Sequence, residues 1–414
     1  MRRKMGKRMV PAVLALSLCM SQAAFAAEAA DDFTPGPGNV YDADTEARLK
    51  DNVLEYEEIP LLIQEYNQTL KNVRESWRDS KDSSKDVAKL QDQILSGAGA
   101  LSDQSQQMAG MASMFEDSLG KQNQVTPAAY AQMVYSSELL AQQADQMTLS
   151  VDSLSKITPE MLYVKMVDST KASLTAGAQS AVIGYEQLLL QKKSLNDSLE
   201  LLEAVYESAK KQAEVGMATE TSVITARQNL ESAKAGLITL EANETKVVQS
   251  LCTMMGWSYN DRPTIEAVPS ADMSRIDGMH PEIDQAAAVS NNYTLKYNEM
   301  DLANKTDGSV EQQNLRRTIE NEKEQVASSL NNLYNDVLQK KSEYETAVAA
   351  YDLEKKKMDS AEVKMQVGSI GKLEYLQQKN ALTTKEIAVR TADLALFQAM
   401  ETYDWAVAGN LSLS

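Results

Sequence analysis

The sequence predicts an all-α protein that is built from long antiparallel coiled-coil helical hairpins, duplicated in tandem. Three observations predict this fold class. Helix-forming residues dominate the composition, and the 414 residues include only four Phe and three Trp. Apolar residues recur at a spacing of about 3.5 residues over four or more heptads, which is typical of coiled coils. Two distant stretches also repeat the same short sequences, which indicates an internal duplication.

The first 26 residues are predicted to be a signal peptide. Positive residues open the chain, residues 10–20 form a short apolar stretch, and Ala24-Phe25-Ala26 fits the small-x-small cleavage rule. The apolar stretch is too short to anchor the chain across a bilayer. We expect cleavage after Ala26, with Ala27 as the alternative, and therefore export to the cell envelope.

The charge of the chain narrows the classes of partner. The predicted signal holds five of the 41 Lys and Arg and none of the 59 Asp and Glu, so the mature chain carries a net charge of −23. Such an acidic chain argues against nucleic acid, whose phosphates are bound by clustered cations. It also argues against electrostatic adhesion to anionic lipids.

One thiol, that of Cys252, remains after the predicted cleavage. A single thiol cannot form an internal disulfide, so the fold is not a disulfide scaffold. We expect Cys252 to be a small buried residue within a helix.

Two landmarks mark the duplication. The string LQKKS occurs at residues 190–194 and 338–342, and a Val-Gly pair occurs at 215–216 and 367–368. A Gly just past a helix end adopts the left-handed conformation that stops the helix, so each Val-Gly predicts a sharp reversal. Each copy is then a helix of ~55 residues, a tight turn and a return helix of ~38 residues. Thr219 or Thr221 is expected to cap the first return helix.

The predicted domain organisation follows from this duplication. After the signal peptide come a linker at 27–44, a first half at 45–256, a linker at 257–281 and a second half at 282–411. Each half is expected to begin with one helix, at residues 45–78 in the first half and at 282–305 in the second. The first half also holds a helical insert at about 82–157, which we expect to consist of several short helices because four glycines interrupt it.

The two turn regions read VGMATETSVITARQNL from Val215 and VGSIGKLEYLQQKNAL from Val367, and the return helices end near Gly256 and Gly409. In these motifs the chain resembles the TolC family of outer-membrane efflux proteins. The resemblance implies a TolC-like α-barrel stem that is formed by a homotrimer. It also implies two partners, a membrane-fusion adaptor protein that docks at the turns and an inner-membrane exporter.

The same resemblance assigns roles to nine residues. The residues at the turns would contact the adaptor: Val215, Gly216, Met217, Ala218, Val367, Gly368, Ser369 and Ile370. Glu374 matches a position where the family often has an acidic residue, and threefold symmetry would make it a ring that constricts the lumen. Gln377 stands where a second acid can occur, so one charge ring carries over. Alternatively, Glu374 is a solvated glutamate in the first turn of a helix, where the helix dipole favours it.

The sequence departs from the family in one respect. Family members enter the membrane through strand pairs, which need about 10 residues of alternating apolar and polar type. Residues 80–160 show no such alternation, and residues 303–312 are too short and too polar to hold a strand pair, so we expect this chain to lack those strands. The resemblance implies the outer membrane, whereas this departure favours an extracytoplasmic location that is associated with the cell wall.

The sequence predicts no enzyme, no cofactor and no metal site. His280 is its one histidine, which excludes histidine-cluster metal sites and most Ser-His or Cys-His nucleophiles. It also contains no P-loop and no dinucleotide-binding glycine motif. Two functions remain: a trimeric helical duct for efflux or export, and a structural coiled-coil scaffold or spacer of the cell wall without transport activity.

Overall fold

A computed structural model describes residues 41–82, 87–119, 127–149 and 158–413. The predicted signal peptide and most of the predicted linker at 27–44 lie outside the described residues. Helices make up most of the described chain, which confirms the all-α prediction. The α-helices are α1 (Ala43–Arg48), α2 (Ile59–Tyr66), α3 (Gln68–Asp82), α4 (Val87–Leu119), α5 (Pro127–Leu149), α6 (Pro159–Leu162), α7 (Ser169–Glu214), α8 (Glu220–Met254), α9 (Pro281–Asn291), α10 (Tyr293–Asn304), α11 (Val310–Gln366) and α12 (Lys372–Val407).

Two long helical hairpins dominate the fold, as predicted. The first consists of α7 and α8, and the second consists of α11 and α12. A π-helical turn at Tyr163–Asp168 joins α6 to α7, and α11 alone has 57 residues, a length of about 85 Å. The apolar register lies between the helices, where Leu230 and Val247 of α8 are buried. Two polar residues of that register, Lys192 and Glu244, form an ion pair with each other at 2.7 Å.

The four long helices form one layer. α7 packs on both α8 and α12, and α12 packs on α11. Ion pairs of Glu186 with Arg390 at 2.6 Å and of Glu200 with Lys379 at 2.7 Å show that α7 and α12 are antiparallel. The order across the layer is therefore α8, α7, α12, α11, so that α8 and α11 form its two edges.

The prediction of one continuous helix at 45–78 and another at 282–305 is wrong. The first is divided into α1, α2 and α3, with a two-residue strand β1 (Val53–Leu54) that pairs in parallel with β2 (Thr264–Ile265). Pro60 lies in the first turn of α2, where its missing N–H costs nothing, whereas in mid-helix it would break the hydrogen-bond ladder. The second is divided at Asn292 into α9 and α10.

The prediction that the insert consists of several short helices is also wrong. The described part of the insert is two long helices, α4 with 33 residues and α5 with 23. Gly97 lies within α4, and a Cβ there would come within 3.0 Å of the Met147 side chain of α5. A glycine inside a helix costs roughly 1 kcal/mol relative to alanine. Here tertiary packing of α4 on α3 and α5 outweighs that cost.

Two asparagines form the same joint at different places in the chain. The side-chain oxygens of Asn67 and Asn292 accept the backbone N–H three residues on, at 2.9 and 3.1 Å, and so cap α3 and α10. The Asn67 amide also donates to the carbonyl oxygen of Met254 at 2.8 Å. The Asn292 amide donates to that of Leu411 at 2.9 Å. Each side chain thus ties the start of one helix to the chain at the end of a return helix.

Candidate functional site

Both Val-Gly turns end their helices in the same way. Gly216 and Gly368 adopt positive φ angles of 73° and 74°. The residue after each glycine donates its backbone N–H to the carbonyl oxygen four residues before the glycine, at 2.7 and 2.8 Å. This is the Schellman arrangement, in which a left-handed residue lets the last carbonyls of a helix find donors. The reversal expected at each glycine is present.

The residues of the two turns, here called the tips, expose apolar side chains. Val215 is 69% exposed, Met217 is 81% exposed and Val367 is 72% exposed. Ala218 and Ile370 are half-buried, and both tip glycines and Ser369 are exposed. Covering apolar surface contributes about 25 cal/mol per Å² of buried area. The tips are therefore suited to contact with an apolar partner surface.

The two tips lie at the same end of the layer. Glu200 of α7 pairs with Lys379 of α12, and the Ser198 hydroxyl donates to Asn380 Oδ1 at 3.0 Å. Val215 follows Glu200 by 15 residues, and Val367 precedes Lys379 by 12. Because the helices are antiparallel, the tips are level to within about one helical turn.

The two return helices begin differently. Thr219 caps α8, because its hydroxyl oxygen accepts the backbone N–H of Ser222 at 3.2 Å. Gly371 precedes α12 and supplies no side-chain cap. Glu374 lies in the first turn of α12 and is exposed, as is Gln377 one turn later in the helix. The structure thus places the exposed carboxylate of Glu374 beside the second tip.

Each edge of the layer carries an exposed stripe with few charges. On α8 this edge stripe consists of Thr221, Ile224, Gln228, Ser232, Ala235, Ile238, Ala242 and Thr245. On α11 it consists of Leu338, Ser342, Thr346, Ala349, Leu353, Lys356, Ser360 and Val363. One of these 16 residues is charged, although 24% of the whole chain is. Such stripes at helical spacing are typical of faces that pack on another helix.

The two edge stripes place their large apolar residues at the same height. Ile238 is 67% exposed on α8, and Leu353 is 58% exposed on α11. Ser198 of α7 lies at the height of Ile238, because Glu203 of α7 pairs with Lys234 of α8 at 3.9 Å, and the Ser198 hydroxyl contacts Asn380 of α12. Gln378, two residues before Asn380, donates to Glu354 of α11 at 2.6 Å. Ile238 and Leu353 therefore lie level across the layer, on opposite edges.

Ion pairs join α7 to α12 beneath the tips. The hydrogen bond between Lys379 and Glu200 lowers the pKa of the Glu200 carboxyl and raises the pKa of the Lys379 amine. Both side chains are about half exposed, so water screens this pair and it contributes little to stability. Arg390 is more enclosed and binds both Glu186 and Asp393, each at 2.6 Å. These contacts set the relative position of the hairpins.

Sequence reasoning singled out the tips but missed the edge stripes and both asparagine joints. The joints had a visible signal, since Asn67 and Asn292 each open the pattern Asn-x-Thr-Leu. The stripes had a weaker signal, because Ile238 and Leu353 lie outside the heptad positions that form the hairpin cores.

In the parts of the chain that the structure describes, no cluster of His, Cys, Asp or Glu is arranged to hold a metal ion. No described helix has the length and hydropathy that crossing a membrane requires. Cys252 is buried in α8, as expected.

No profile of a known protein family matches the sequence, and no curated protein matches it. Solved structures do match the fold. The Campylobacter jejuni CmeC outer membrane channel is 12% identical over 96% of this chain and 95% of that chain, with a TM-score of 0.41.

Two further channels match similarly. CusC, which changes conformation on folding and transmembrane channel formation, is 15% identical over 72% of this chain and 97% of that chain, with a TM-score of 0.42. The outer-membrane channel OprN is 14% identical over 83% and 93%, with a TM-score of 0.38. The solved structures that this fold resembles are TolC-family outer membrane channels. Each TM-score lies below 0.5, so the likeness is a distant one.

Proposed function

We propose that this protein is a TolC-like component of a cell-envelope efflux or export system, in which three copies form a helical duct. The halves at 45–256 and 282–411 each contribute one hairpin, so three copies supply six. The duct docks through its tips with a periplasmic-type adaptor of an exporter. The resemblance of the tip sequences supports this proposal, and the geometry of the helical layer carries it.

The observation that carries the proposal is the level placement of Ile238 and Leu353 on opposite edges. A layer with two open, weakly charged edges can cover both of them by packing α8 of one copy against α11 of the next copy. Such a heterologous contact forms a ring when the rotation between copies closes. Equal heights let Ile238 of one copy meet Leu353 of the next without a step along the axis, which favours a closed ring over a helical filament.

A paired-cysteine experiment tests the ring. Ile238→Cys and Leu353→Cys are combined with Cys252→Ser in the mature chain, residues 27–414, and the protein is oxidised in detergent-free buffer. The two new thiols lie on opposite edges of one copy, so a disulfide between them must join two copies. We expect a covalent ladder that stops at the trimer on a non-reducing gel, and a trimer mass by light scattering.

The matched control pairs Leu353→Cys with Ile224→Cys on the same stripe of α8. Ile224 lies 14 residues from Ile238, a displacement of about 21 Å along the helix, so this pair should not cross-link. A monomer by light scattering, or equal cross-linking of both pairs, would contradict the proposed ring.

Adaptor docking is tested at the tips in the native host. Val215→Asp combined with Val367→Asp puts two charges on exposed apolar positions without touching a buried side chain. We expect this variant to form the trimer but to leave cells as sensitive to toxic compounds as a deletion strain. Ile283→Asp, at a position that is 71% exposed on α9, is the control and should restore resistance. Full resistance of the tip variant would refute docking through these residues.

Glu374 is proposed to line a constriction near the second tip. If three copies bring it to the axis, Glu374→Cys in the Cys252→Ser background should give covalent trimers with a short bifunctional maleimide. Glu386→Cys is the control, because this residue is also exposed on α12 but lies three turns further along. It measures how much cross-linking occurs without a contact near the axis. Reaction without cross-linking would place Glu374 away from the axis and leave it a solvated first-turn residue.

The second candidate is a structural scaffold or spacer of the cell wall. The α4 and α5 hairpin favours it, because the second half has only residues 305–309 between α10 and α11 at the corresponding place. This candidate predicts that deleting the protein changes no sensitivity to exported compounds. Hypersensitivity of the deletion strain, restored by the parent protein, would exclude it.

A further inference from the structure

The two faces of the four-helix layer are covered by different parts of the chain. The insert hairpin, which consists of α4 and α5, lies on one face, where the Gln143 amide of α5 donates to the Ser173 hydroxyl of α7. Ser180, seven residues further along α7, also contacts α5. Lys171 is two residues from Ser173, so it points to the opposite side of the helix, where it donates to Gln64 of α2. The insert hairpin and α2 therefore lie on opposite faces.

The face that carries α2 also carries the segment between the halves. Tyr56, in the short 3₁₀ helix before α2, packs edge-on against Phe397 of α12. Arg275 of the inter-half segment binds Glu401, one turn from Phe397 on the same side of α12. β1 and β2 pair these two parts of the chain, and α9 follows directly onto α11 and α12. In each copy this face holds α2, α9, the strand pair and the inter-half segment.

In the proposed ring, one face of the layer lines the lumen and the other faces outwards. Twelve long helices spaced about 10 Å apart form a ring of about 19 Å radius, and a layer one helix further in has room for about six helices. Three insert hairpins supply six helices. The elements of the α2 face exceed that room in three copies, but they fit on the longer outer circumference. The insert hairpin is therefore on the face that the ring encloses.

The side of α4 that faces away from the layer carries no charge. Met108 lies against Gly177 of α7, and Gln106, two residues earlier, points the other way. The residues on that side are partly or fully exposed: Leu95, Gly99, Ser102, Gln106, Gly110 and Ser113. Five of the 33 residues of α4 and two of the 23 of α5 are charged, seven of 56 in all, against 24% of the whole chain. A helix that packs on copies of itself needs no charged face, whereas a solvent-facing one normally has it.

We propose that the insert hairpins of three copies pack against one another on the axis and plug the lumen of the duct. This inference rests on the proposed ring, and it gives a role to the insert hairpin, in whose place the second half has residues 305–309. Part of the contact with α7 is polar, because the Ser136 and Ser180 hydroxyls lie 3.3 Å apart. Water can replace such hydrogen bonds at little net cost. The hairpin moves off α7 when the duct opens.

Cross-linking on the axis tests the plug in the mature chain. Gln106→Cys is made in the Cys252→Ser background and treated with a short bifunctional maleimide. We expect covalent trimers, because the three α4 helices meet around the axis. Ile283→Cys, at a position that is 71% exposed on α9, is the control. It should react but stay a single chain, since α9 lies on the outer face.

A bulky polyethylene glycol maleimide separates failure of the plug from failure of the ring. In the trimer it should label Gln106→Cys about tenfold more slowly than Ile283→Cys, because a thiol reacts only where the reagent reaches it. Adding Ile238→Glu, which should dissociate the ring, is expected to make the two rates equal. A monomer by light scattering before that change would overturn the ring and the plug together. A trimer in which Gln106→Cys labels as fast as Ile283→Cys, or gives no covalent trimers, would overturn the plug alone.

A disulfide tests whether the hairpin has to move. Ser136→Cys with Ser180→Cys, again with Cys252→Ser, would tie α5 to α7 at two positions whose side chains already touch. The purified double variant should keep the trimer mass and the helicity of the parent. Once the disulfide has formed, we expect cells to be as sensitive to exported compounds as a deletion strain, whereas each single cysteine variant restores resistance. Parental resistance with the disulfide intact would show that the hairpin does not close the duct.

Discussion

Gly256 lies directly against the carbonyl group of Tyr66. A Cβ at position 256 would lie 2.3 Å from the Tyr66 oxygen, and the residue has a φ of +76°. The second half repeats this contact, since a Cβ on Gly409 would lie 2.2 Å from the carbonyl oxygen of Asn291, at a φ of +99°. Each glycine follows a return helix and meets the residue before the capping asparagine. The chain therefore makes the same joint twice, although the helices around the joints differ in length.

Gly256→Ala should destabilise the protein severely. The positive φ alone costs about 1 to 2 kcal/mol for a residue with a Cβ, and the clash with a backbone carbonyl cannot be relieved by a side-chain rotation. We expect a loss of more than about 3 kcal/mol in urea unfolding. Gly216→Ala is the matched control, because it has a φ of +73° with open space around it, and it should lose about 1 kcal/mol. Equal losses would show that the contact with Tyr66 is not tight.

Asn67→Ala should remove two hydrogen bonds at the first joint. The backbone N–H of Leu70 and the carbonyl oxygen of Met254 would both lose a buried partner. Leaving such groups unpaired costs about 1 to 3 kcal/mol each, so we expect a loss of about 2 to 4 kcal/mol in unfolding free energy. Asn260→Ala, at an exposed position, should change it by less than about 0.5 kcal/mol. A loss at Asn67 as small as that would mean that water replaces both bonds.

Asp168 should make stability depend on pH. Burial raises the pKa of its carboxyl to about 6, against the attraction of Lys171, Lys296 and Arg74. The folded pKa lies above the ordinary 3.8, so its contribution is full below pH 3.8 and is lost as pH rises through about 6. Asp168→Asn should therefore gain up to about 3 kcal/mol relative to the parent between pH 4 and 7. Urea unfolding of both proteins over this range measures the difference, and a constant difference would contradict the shift.

Ile238→Glu should prevent assembly without unfolding the chain. The side chain is already 67% exposed in a single copy, so the charge costs little there, but it would be buried against a second copy in the ring. We expect a monomer by light scattering with unchanged helicity by circular dichroism. Ile283→Glu, at an equally exposed position away from both edge stripes, should leave the trimer intact. A trimer of Ile238→Glu would mean that this part of α8 faces solvent in the assembly.

The coiled-coil helices and their reversals could be predicted from the sequence because they depend on residues that are close to one another along the chain. The heptad spacing of Leu230 and Val247 decides which face is buried, and Gly216 decides where α7 ends. The continuous helix expected at 45–78 failed for a local reason as well, since Pro60 already indicated a helix start. The short helices expected in the insert failed for a different reason, because packing of Gly97 against α5 overrides the low helix propensity of glycine.

By itself, the sequence determined the two long hairpins, their turns at Gly216 and Gly368, and the exposed apolar residues that the tips present. Only the tertiary structure decided that Ile238 and Leu353 stand level on opposite edges and that Arg390 of α12 binds Glu186 of α7. The physical reason is the range of the interactions. Hairpin helices are specified by periodicity within a few turns, whereas the placement of one hairpin against the other depends on contacts between residues more than 100 positions apart, such as Glu186 and Arg390, which no local pattern encodes.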